Sequence, residues 1–412
     1  MQFNSTPPTV MHIDLNACFA SVEQQANPLL RGKPVAVAAY PTANGCILAA
    51  SYEAKRMGVK TGMRVKDGKL FCPKMIVLGP DPHKYRHVHR AFRKLLKNYT
   101  WDFVPKSIDE FVLHFEKTLP MHNKTMMELG AEIKARIKTD IGDALTVSVG
   151  IGPNRFLAKT GANLTKPDGL DTIDVTNYEQ IFKKMALTDL TGIKERNAAR
   201  LNSLGIFTVW DFYEAPVWKL KAAFESVNGY YWHMRLHGYE IDRVEFGRRS
   251  YGNSYALPKP FVSVSDLSPL LSKLVTKMSA RVRKANLAAR GIHLSIWYRD
   301  GAVYHRGYKT ERDLRSTSDF YEAAMVVLKE SPKKPVRNLA VSSFNLRPFS
   351  PIQGELFCDL TKTLSLTAAC DNLNTRYGSY TITPARVLPA KQNIPDRIAF
   401  GNVKELEEMM QN

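Results

Sequence analysis

The sequence predicts a multidomain protein of the α+β class. Its 412 residues exceed one ordinary domain, so about two to four domains are expected. The apolar share of 44% is sufficient for buried cores. Segments with the two-residue period of strands alternate with segments of helical period along residues 9–163. This alternation favours a split βαβ arrangement of the ferredoxin type.

The order of the first elements follows from hydrophobic periodicity and from turn residues. Turn-rich residues 41–45 separate two short strands, and Ser51 is the expected N-cap of the next helix. Tyr85, Val88 and Phe92 lie on one face of a longer amphipathic helix. The predicted strands are residues 9–14, 34–39, 46–50, 101–105, 111–115 and 145–151, and the predicted helices are residues 17–25, 52–57, 82–98, 126–137 and 154–163.

Asp109 and Glu110 are adjacent carboxylates at a tight turn between two apolar strands. Both side chains can point toward one site from a turn, whereas in a regular strand they would diverge. A lone Asp-Glu pair is more often a solvated turn. Asp14 shifts that balance, because it lies in an apolar strand where an unpaired carboxylate would be costly.

Carboxylates that converge repel one another, and a divalent cation relieves the repulsion. Hard oxygen ligands favour Mg²⁺, Mn²⁺ or Ca²⁺ over zinc. Asp14, Asp109 and Glu110 therefore suit a site for two metal ions about 4 Å apart. Such a pair activates an attacking oxygen and stabilises a leaving oxygen in phosphoryl transfer.

The chain is strongly basic, with 58 Lys and Arg against 39 Asp and Glu, a net charge of +19 and a pI near 9.6. This favours nucleic acid over a membrane as partner. Residues 241–350 hold 20 basic and 9 acidic residues, a net +11, which indicates either a phosphate-tracking module or a solvated basic surface. No run of about 18 apolar residues is present, so no membrane partner is expected.

The five cysteines are scattered and show no metal-binding spacing, which favours a reducing, cytoplasmic location. His83 and His87 have the i,i+4 spacing of metal ligands, but no third ligand accompanies them. We expect these two histidines to be solvated or to face phosphate.

Residues 240–250 are charged and are predicted to be a linker. Residues 187–209 are typical of helix, glycine hairpin and helix, and Ser318 is the expected cap of a later helix. In the last third of the chain the predicted strands are residues 262–264, 292–298 and 339–346, and the predicted helices are residues 267–286 and 319–329.

Three segments resemble the Y-family translesion DNA polymerases, in the order and at the spacings of that family. They are MHIDLNACFASVE (11–23), SIDEF (107–111) and VGIGPNRFLAKTGANLTK (149–166), and the resemblance covers roughly residues 9–350. It implies a right-hand polymerase with a palm (1–18 and 81–168), fingers (19–80), a helix-hairpin-helix thumb (169–240), a DNA-binding little finger (241–347) and a tail (348–412).

The resemblance implies template-directed DNA synthesis in damage tolerance, without proofreading. Primer-template DNA and deoxynucleoside triphosphates would be the partners, and two Mg²⁺ ions, replaceable by Mn²⁺, the cofactors. Asp14, Asp109 and Glu110 match the catalytic metal ligands of the family, and the Leu15 carbonyl is a further ligand by analogy.

Several other residues match family positions around the nucleotide. Phe19 matches the steric gate, a ring that excludes a ribose 2′-hydroxyl; by spacing alone it would be a core residue. Lys55 stands where the family often has arginine, so it would contact the triphosphate without the bidentate hydrogen bonds that a guanidinium makes. The implied nucleotide contacts are Tyr52, Lys55, Lys166 and Leu48.

The implied DNA contacts are Gly192, Lys194, Arg299 and Arg347. Gly192 and Lys194 belong to the hairpin, whose backbone N–H groups would hold a phosphate. Lys194 replaces the second glycine of the family's hairpin, and an ordinary helical hairpin is the alternative. Arg299 and Arg347 end two strands of the little finger.

Gln353, Leu356 and Phe357 are similar to the peptide by which bacterial polymerases bind the sliding clamp, although Gly354 departs from its pattern. Residues 373–378 (LNTRYG) look like tails of polymerase V catalytic subunits. This favours the polymerase V subgroup over polymerase IV and adds accessory subunits of the polymerase V type as partners.

Two alternatives differ in class. A nucleotidyl cyclase shares a palm-like fold and metal-binding carboxylates, but it would not need the hairpin or the basic region 241–350. A catalytically silent DNA-binding paralogue would be expected to lose the carboxylates, and all three are present.

Overall fold

The computed structural model describes residues 1–244, 247–349, 360–390 and 393–394. The chain forms two compact units whose boundary follows Val244, within the segment that the sequence predicts as a linker. No helix in the described ranges is long and apolar enough to cross a membrane. The finer division into palm, fingers and thumb stays a prediction.

The first part of the first unit contains two sheets. Its elements are β1 Val10–Leu15, α1 Cys18–Ala26, β2 Val35–Ala38, β3 Ile47–Ala50, α2 Tyr52–Arg56, α3 Val65–Phe71, β4 Ile76–Leu78, α4 Pro82–Leu96, β5 Phe103–Pro105, β6 Glu110–His114, α5 Met126–Arg136, β7 Val147–Gly152, α6 Arg155–Leu164 and β8 Leu170–Thr172. The larger sheet has the order β5-β6-β1-β7-β8, and the smaller has the order β3-β2-β4. Strand β1 is therefore central, antiparallel to both β6 and β7.

Alternation along β1 gives the larger sheet two distinct faces. Met11 and Ile13 are buried in the main core together with the apolar side of α4. Val10, His12 and Asp14 point to the opposite face, where α6 packs. The polar residues of β1 thus share one face, away from α4.

The rest of the first unit is helical. Its helices are α7 Tyr178–Lys184, α8 Glu195–Asn202, α9 Val209–Glu214, α10 Val217–Phe224 and α11 Asn228–Leu236. They enclose a separate core rich in aromatic rings. The prediction of a first helix at the start of residues 187–209 is wrong. A single 3₁₀ turn, Leu187–Asp189, stands there instead, and the Ala186 N–H before it donates to the Asp189 carboxylate at 2.9 Å.

The second unit is a four-stranded sheet with helices packed on one face. Its elements are β9 Tyr251–Phe261, α12 Val264–Lys284, β10 Leu287–Tyr298, β11 Val303–Leu314, α13 Thr317–Glu330, β12 Val336–Pro348 and α14 Leu360–Tyr377, and the sheet order is β11-β10-β12-β9. Ile292, Leu294 and Ile296 of β10 face α12 and α13 in a common core. The alternate residues, such as His293 and Ser295, lie on the other face.

Most of the predicted elements are confirmed. Every strand and helix predicted within residues 9–163 occurs, with ends shifted by at most two residues, while α3 and β4 had not been predicted. The strand predicted at residues 262–264 is wrong, because the Ser263 hydroxyl accepts from the Asp266 N–H and starts α12 at Val264. The cap of α13 is Ser316, in a capping box with Asp319, and not Ser318.

Candidate active site

Asp14 and Glu110 are direct partners in the antiparallel pair of β1 and β6. Directly opposed residues point to the same face of a sheet and lie close together. Both side chains are partly buried, 14% and 21% exposed. Two carboxylates that are distant in sequence therefore converge on the face that α6 covers.

Asp109 adjoins this pair from the turn before β6. Its backbone carbonyl accepts a hydrogen bond from the Leu15 N–H at 2.9 Å, which joins the turn to the end of β1. The Ser107 hydroxyl donates to its carboxylate. Burial, together with the charges of Asp14 and Glu110, raises the pKa of Asp109 to about 6 against the effect of the Ser107 hydrogen bond. The three carboxylates thus interact as one electrostatic site.

Two lysine ammonium groups neutralise part of this site. Lys166 Nζ lies 2.8 Å from Asp14 Oδ2, and Lys159 Nζ lies 2.7 Å from Glu110 Oε2. Burial raises the pKa of Asp14 in spite of Lys166. Burial also acts to raise the pKa of Glu110, but the charges of Lys159 and Lys166 hold that pKa below its usual value.

His12 is the buried neighbour of the carboxylates. Its side chain is 2% exposed, and burial lowers its pKa to about 3, so the ring is neutral at pH 7. Neither ring nitrogen has a hydrogen-bond partner among the described residues, and Nε2 lies 3.8 Å from Glu110 Oε2. One ligand atom each from His12, Asp14 and Glu110 lie within 4.8 Å of one another.

The donor set of this site fits a divalent cation. Carboxylate oxygens are the ligands that hard divalent ions prefer, and a neutral imidazole with unshared nitrogens is a further ligand type. A cation would also relieve the repulsion that raises the pKa of Asp109. The carboxylate of Asp109 accepts the Ser107 hydrogen bond and is not one of the three ligand groups of the cluster formed by His12, Asp14 and Glu110.

Phe19 lies in α1, one turn beyond the end of β1. It is 1% exposed, within the main core. Its ring stacks on Tyr85 of α4 with centroids 4.2 Å apart, and the Tyr85 hydroxyl donates to Glu23 at 3.0 Å. The ring is therefore held rigidly beside the carboxylate strand.

Tyr52 and Lys55 lie together on α2, which Ser51 caps as predicted. Lys55 Nζ stands 4.5 Å from the centre of the Tyr52 ring. Burial and the nearby charge of Lys166 lower the pKa of Lys55, while burial and Asp14 raise the pKa of Tyr52 to about 12. Both residues are thus electrostatically coupled to Asp14. Leu48, on β3, is half-buried against the main core.

The hairpin residues lie at an exposed turn before α8. Gly192 has φ +99°, a backbone conformation that favours glycine, and a Cβ atom at this position would make a tight contact of 3.3 Å with the Trp232 ring. The Asn197 side chain donates to the Gly192 carbonyl at 3.0 Å. Lys194 is exposed immediately before α8.

The two arginines of the second unit differ in their surroundings. Arg299 is exposed at the end of β10. Arg347, on β12, makes an ion pair with Asp313, to which its Nε donates at 2.9 Å. Any phosphate would compete with Asp313 for Arg347. The residues of the clamp-like peptide, Gln353, Leu356 and Phe357, lie outside the described residues.

Comparisons with known proteins agree over nearly the whole chain. Models of the impB/mucB/samB family match residues 13–163, and models of its C-terminal domain match residues 248–356. The chain is 32% identical to DNA polymerase IV of Pelotomaculum thermopropionicum, covering 92% of this chain and 96% of the relative. It is 29% identical to DNA polymerase IV 1 of Bacillus subtilis, covering 95% and 96%.

The fold also matches a solved Y-family DNA polymerase, a chimera of Dbh and Dpo4. The TM-score is 0.73 at 27% identity, with 82% of this chain and 99% of that chain covered. The chain belongs to the Y family of DNA polymerases. A second match, to an insertion ternary complex of Dbh DNA polymerase, has a TM-score of 0.58 at 25% identity and the same coverage. The assignment to the polymerase V subgroup, which rests on residues 373–378, stays a prediction.

Sequence reasoning missed two residues of this Y-family site. His12 lies two positions before Asp14, so strand alternation alone would have placed both on one face. Lys159 lies within the third motif, but its contact with Glu110 depends on how α6 lies across the sheet. No local signal carries that orientation.

Proposed function

We propose that the chain extends a DNA primer along a template at the site formed by Asp14, Asp109 and Glu110. The chain is a DNA-directed DNA polymerase of the translesion type, with DNA and deoxynucleoside triphosphates as substrates. The observation that supports this site most directly is the cross-strand pairing of Asp14 with Glu110, with Asp109 in the adjoining turn.

Divalent metal dependence follows from the family, and we propose Mg²⁺ as the ion, with Mn²⁺ as a substitute. Asp14, Asp109 and Glu110 would hold it, with the Leu15 carbonyl as a further ligand by analogy with the family; His12 lies in one cluster with Asp14 and Glu110. Ions held by these residues would supply Lewis-acid activation of the primer hydroxyl and neutralisation of phosphate charge. Asp14 and Glu110 stand on adjacent strands, so their spacing is set by backbone pairing, and the Leu15 N–H bond to the Asp109 carbonyl joins the turn of Asp109 to β1.

Lys159 and Lys166 would act as exchangeable counter-ions of the carboxylates. Each ammonium pairs with a ligand carboxylate at 2.7–2.8 Å. When cations bind the carboxylates, each lysine becomes available to another anion. Lys166, with Tyr52 and Lys55 beside it, would then contact the triphosphate.

Phe19 would act as the steric gate, and Leu48 would lie over the replicating base pair. The stack of Phe19 on Tyr85 supports the gate, because a ring fixed beside the carboxylate strand can exclude an added hydroxyl by contact. For DNA, Gly192 and Lys194 would hold one phosphate, and Arg299 and Arg347 would hold others.

The remaining partners are proposals from sequence. Gln353, Leu356 and Phe357 would bind a sliding clamp, two apolar side chains giving a weak, exchangeable contact. Accessory subunits of the polymerase V type follow from the similarity of residues 373–378. The site of action would be the cytoplasm, where reduced cysteines persist.

Asp109→Asn and Glu110→Gln test the catalytic assignment. Each should abolish primer extension with Mg²⁺ and leave primer-template binding nearly unchanged, because the fold keeps its shape and only a charge is lost. Asp140→Asn is the control, since Asp140 is an exposed carboxylate paired with Arg136 at 3.0 Å. Full primer extension by either variant would show that the substituted carboxylate is not catalytic.

A further inference from the structure

The exposed side of α4 carries an uninterrupted row of basic side chains, the basic ridge, formed by His83, Arg86, His87, Arg90, Lys94 and Lys97. At 100° per residue these positions fall within an arc of about 100°, and they extend about 21 Å along the axis. No acidic residue occurs between Pro82 and Lys97. Successive turns of the helix therefore present cations about 5.4 Å apart.

Three cations of this ridge, Arg90, Lys94 and Lys97, are not neutralised by carboxylates of the described residues. Within the described residues, Arg90, Lys94 and Lys97 make no ion pair. The nearby acids have cations of their own: Glu23 pairs with Lys84 at 2.7 Å, Asp140 with Arg136 at 3.0 Å, Asp143 with Arg31 at 2.9 Å and Glu132 with Lys124 at 2.6 Å.

An exposed aromatic ring follows the ridge. Trp101 is 63% exposed and comes four residues after Lys97, within about 14 Å of chain. Its backbone is fixed on both sides, because the Thr100 hydroxyl donates to the His114 carbonyl at 2.9 Å and the Asp102 N–H donates to that hydroxyl at 3.1 Å. An exposed indole that follows a cationic row in sequence, on a fixed backbone, supplies the two groups that bind single-stranded nucleic acid.

The ridge lies on the opposite side of the sheet from the carboxylates. The apolar side of α4 packs on the face that holds Met11 and Ile13, whereas Asp14 points to the other face. A strand bound along the ridge would therefore be distinct from the primer terminus at the carboxylates. It would be a second contact with nucleic acid.

We propose that the basic ridge and Trp101 form a binding surface for single-stranded DNA outside the polymerase active site. The phosphates of the strand lie along Arg90, Lys94 and Lys97, and a base stacks on Trp101. Charge complementarity supports a polyanion, and the exposed indole selects a nucleic acid over an acidic protein. The surface does not depend on the chemistry proposed for the carboxylates.

The test uses the full chain saturated with a primer-template hairpin and measures binding of a fluorescent oligothymidylate over a range of salt. Arg90→Gln, Lys94→Gln and Lys97→Gln are combined in the ridge variant. The salt slope is the slope of log affinity against log salt concentration. The loss of three phosphate contacts should lower its magnitude by about 2 and should weaken binding. The control variant combines Lys69→Gln, Lys74→Gln and Lys117→Gln, which removes the same charge from exposed sites of the first unit outside the ridge and should change neither.

Trp101→Ala should weaken oligothymidylate binding about tenfold with an unchanged salt slope, because stacking is lost and no phosphate contact is. One-nucleotide primer extension should be unchanged in every variant. If the triple variant is not folded by circular dichroism, Lys94→Gln with Lys97→Gln gives the same test with a slope change of about 1.4.

Equal binding by the ridge and control variants would overturn the proposal. A peptide of residues 404–412 (KELEEMMQN), the acidic end of this chain, gives the other decisive comparison. If that peptide binds in a ridge-dependent manner and the oligothymidylate does not, the surface takes an acidic protein segment and the proposal is wrong.

Discussion

The Phe19 ring contributes to the core and lies beside the carboxylate strand, so its two roles must be separated experimentally. Phe19→Leu keeps apolar volume and should leave the fold intact, but it removes the ring edge that would meet a 2′-hydroxyl. We predict that the ratio of ribonucleotide to deoxynucleotide incorporation rises by at least tenfold. The reason is that a pocket without that ring edge favours the deoxynucleotide over the ribonucleotide by only about 10².

Phe92→Leu is the matched control for this change. Phe92 is equally buried, at 1% exposed, in the same core, and stacks on Phe111 with centroids 5.8 Å apart. Both variants should lose about 1–2 kcal/mol of unfolding free energy by melting, as core shape changes do. An unchanged incorporation ratio in Phe19→Leu would return Phe19 to a purely structural role.

His89 on α4 makes the stability of the protein depend on pH. Its Nδ1–H donates to the Ile108 carbonyl at 2.9 Å, its ring stacks on Phe111, and burial lowers its pKa to about 4. The unfolded chain binds the proton more readily, near pH 6.5. The contribution of His89 is thus complete above pH 6.5 and is lost as the pH falls toward 4.

His89→Gln removes the titration and keeps a donor for Ile108. We predict a shallower fall of the melting temperature between pH 7 and pH 4.5 than in the unchanged protein. His87→Gln, on the exposed side of the same helix, is the control, because it shows how a histidine-to-glutamine substitution outside the core changes the melting temperature. If His89→Gln and the unchanged protein melt in parallel across this range, another group causes the acid sensitivity.

At the scale of elements, the tail helix α14 depends on one buried arginine. Arg283 of α12 is 8% exposed and pairs with Asp371 of α14, its Nε and Nη2 atoms lying 2.5 and 2.8 Å from the two carboxylate oxygens. Arg283 also donates to the Arg315 carbonyl at 3.1 Å. Because a buried guanidinium without its carboxylate is costly, the pair fixes α14 to the second unit.

Asp371→Asn should release α14 while the four-stranded sheet persists. Losing the carboxylate leaves the buried Arg283 guanidinium without its charged partner, so amide exchange in residues 362–377 should become faster. Asp300→Asn, which breaks the exposed Lys334–Asp300 pair of 2.8 Å, should leave that exchange unchanged. Continued protection of α14 in Asp371→Asn would show that apolar contacts alone hold it.

Elements with a strong local pattern could be predicted from sequence, and those that depend on partners could not. The helix at α4 was predictable because its apolar side repeats with helical period. Strand β11 has few apolar residues and exists because it pairs with β10 at the sheet edge. Similarly, the motifs predicted that Asp14 and Glu110 lie close together, as the pairing of β1 with β6 shows, whereas the contacts of His12 and Lys159 depend on strand register and helix packing.

At the scale of the whole molecule, the two units divide the positive charge unequally. Residues 241–350 hold a net +11 of the total +19. Residues just before the boundary belong to the first unit, since Asp242 pairs with Arg235 at 2.5 Å and the Arg155 N–H donates to Glu240 at 2.9 Å. A fragment that ends at Val244 keeps these contacts, whereas one that ends at Glu240 would lose the pair between Asp242 and Arg235.

The 1–244 fragment should therefore melt cooperatively. It should bind primer-template DNA about tenfold or more weakly than the full chain, because it lacks the phosphate contacts of the second unit. The plot of log affinity against log salt concentration should also have a smaller slope. The measurement is a titration of labelled duplex at several salt concentrations, beside a melting curve. A full-length Arg299→Gln variant is the comparison for one exposed contact and should lower the slope by about 0.9. If the folded fragment binds as tightly as the full chain, the basic charge of the second unit is merely solvated and the DNA contact belongs to the first unit.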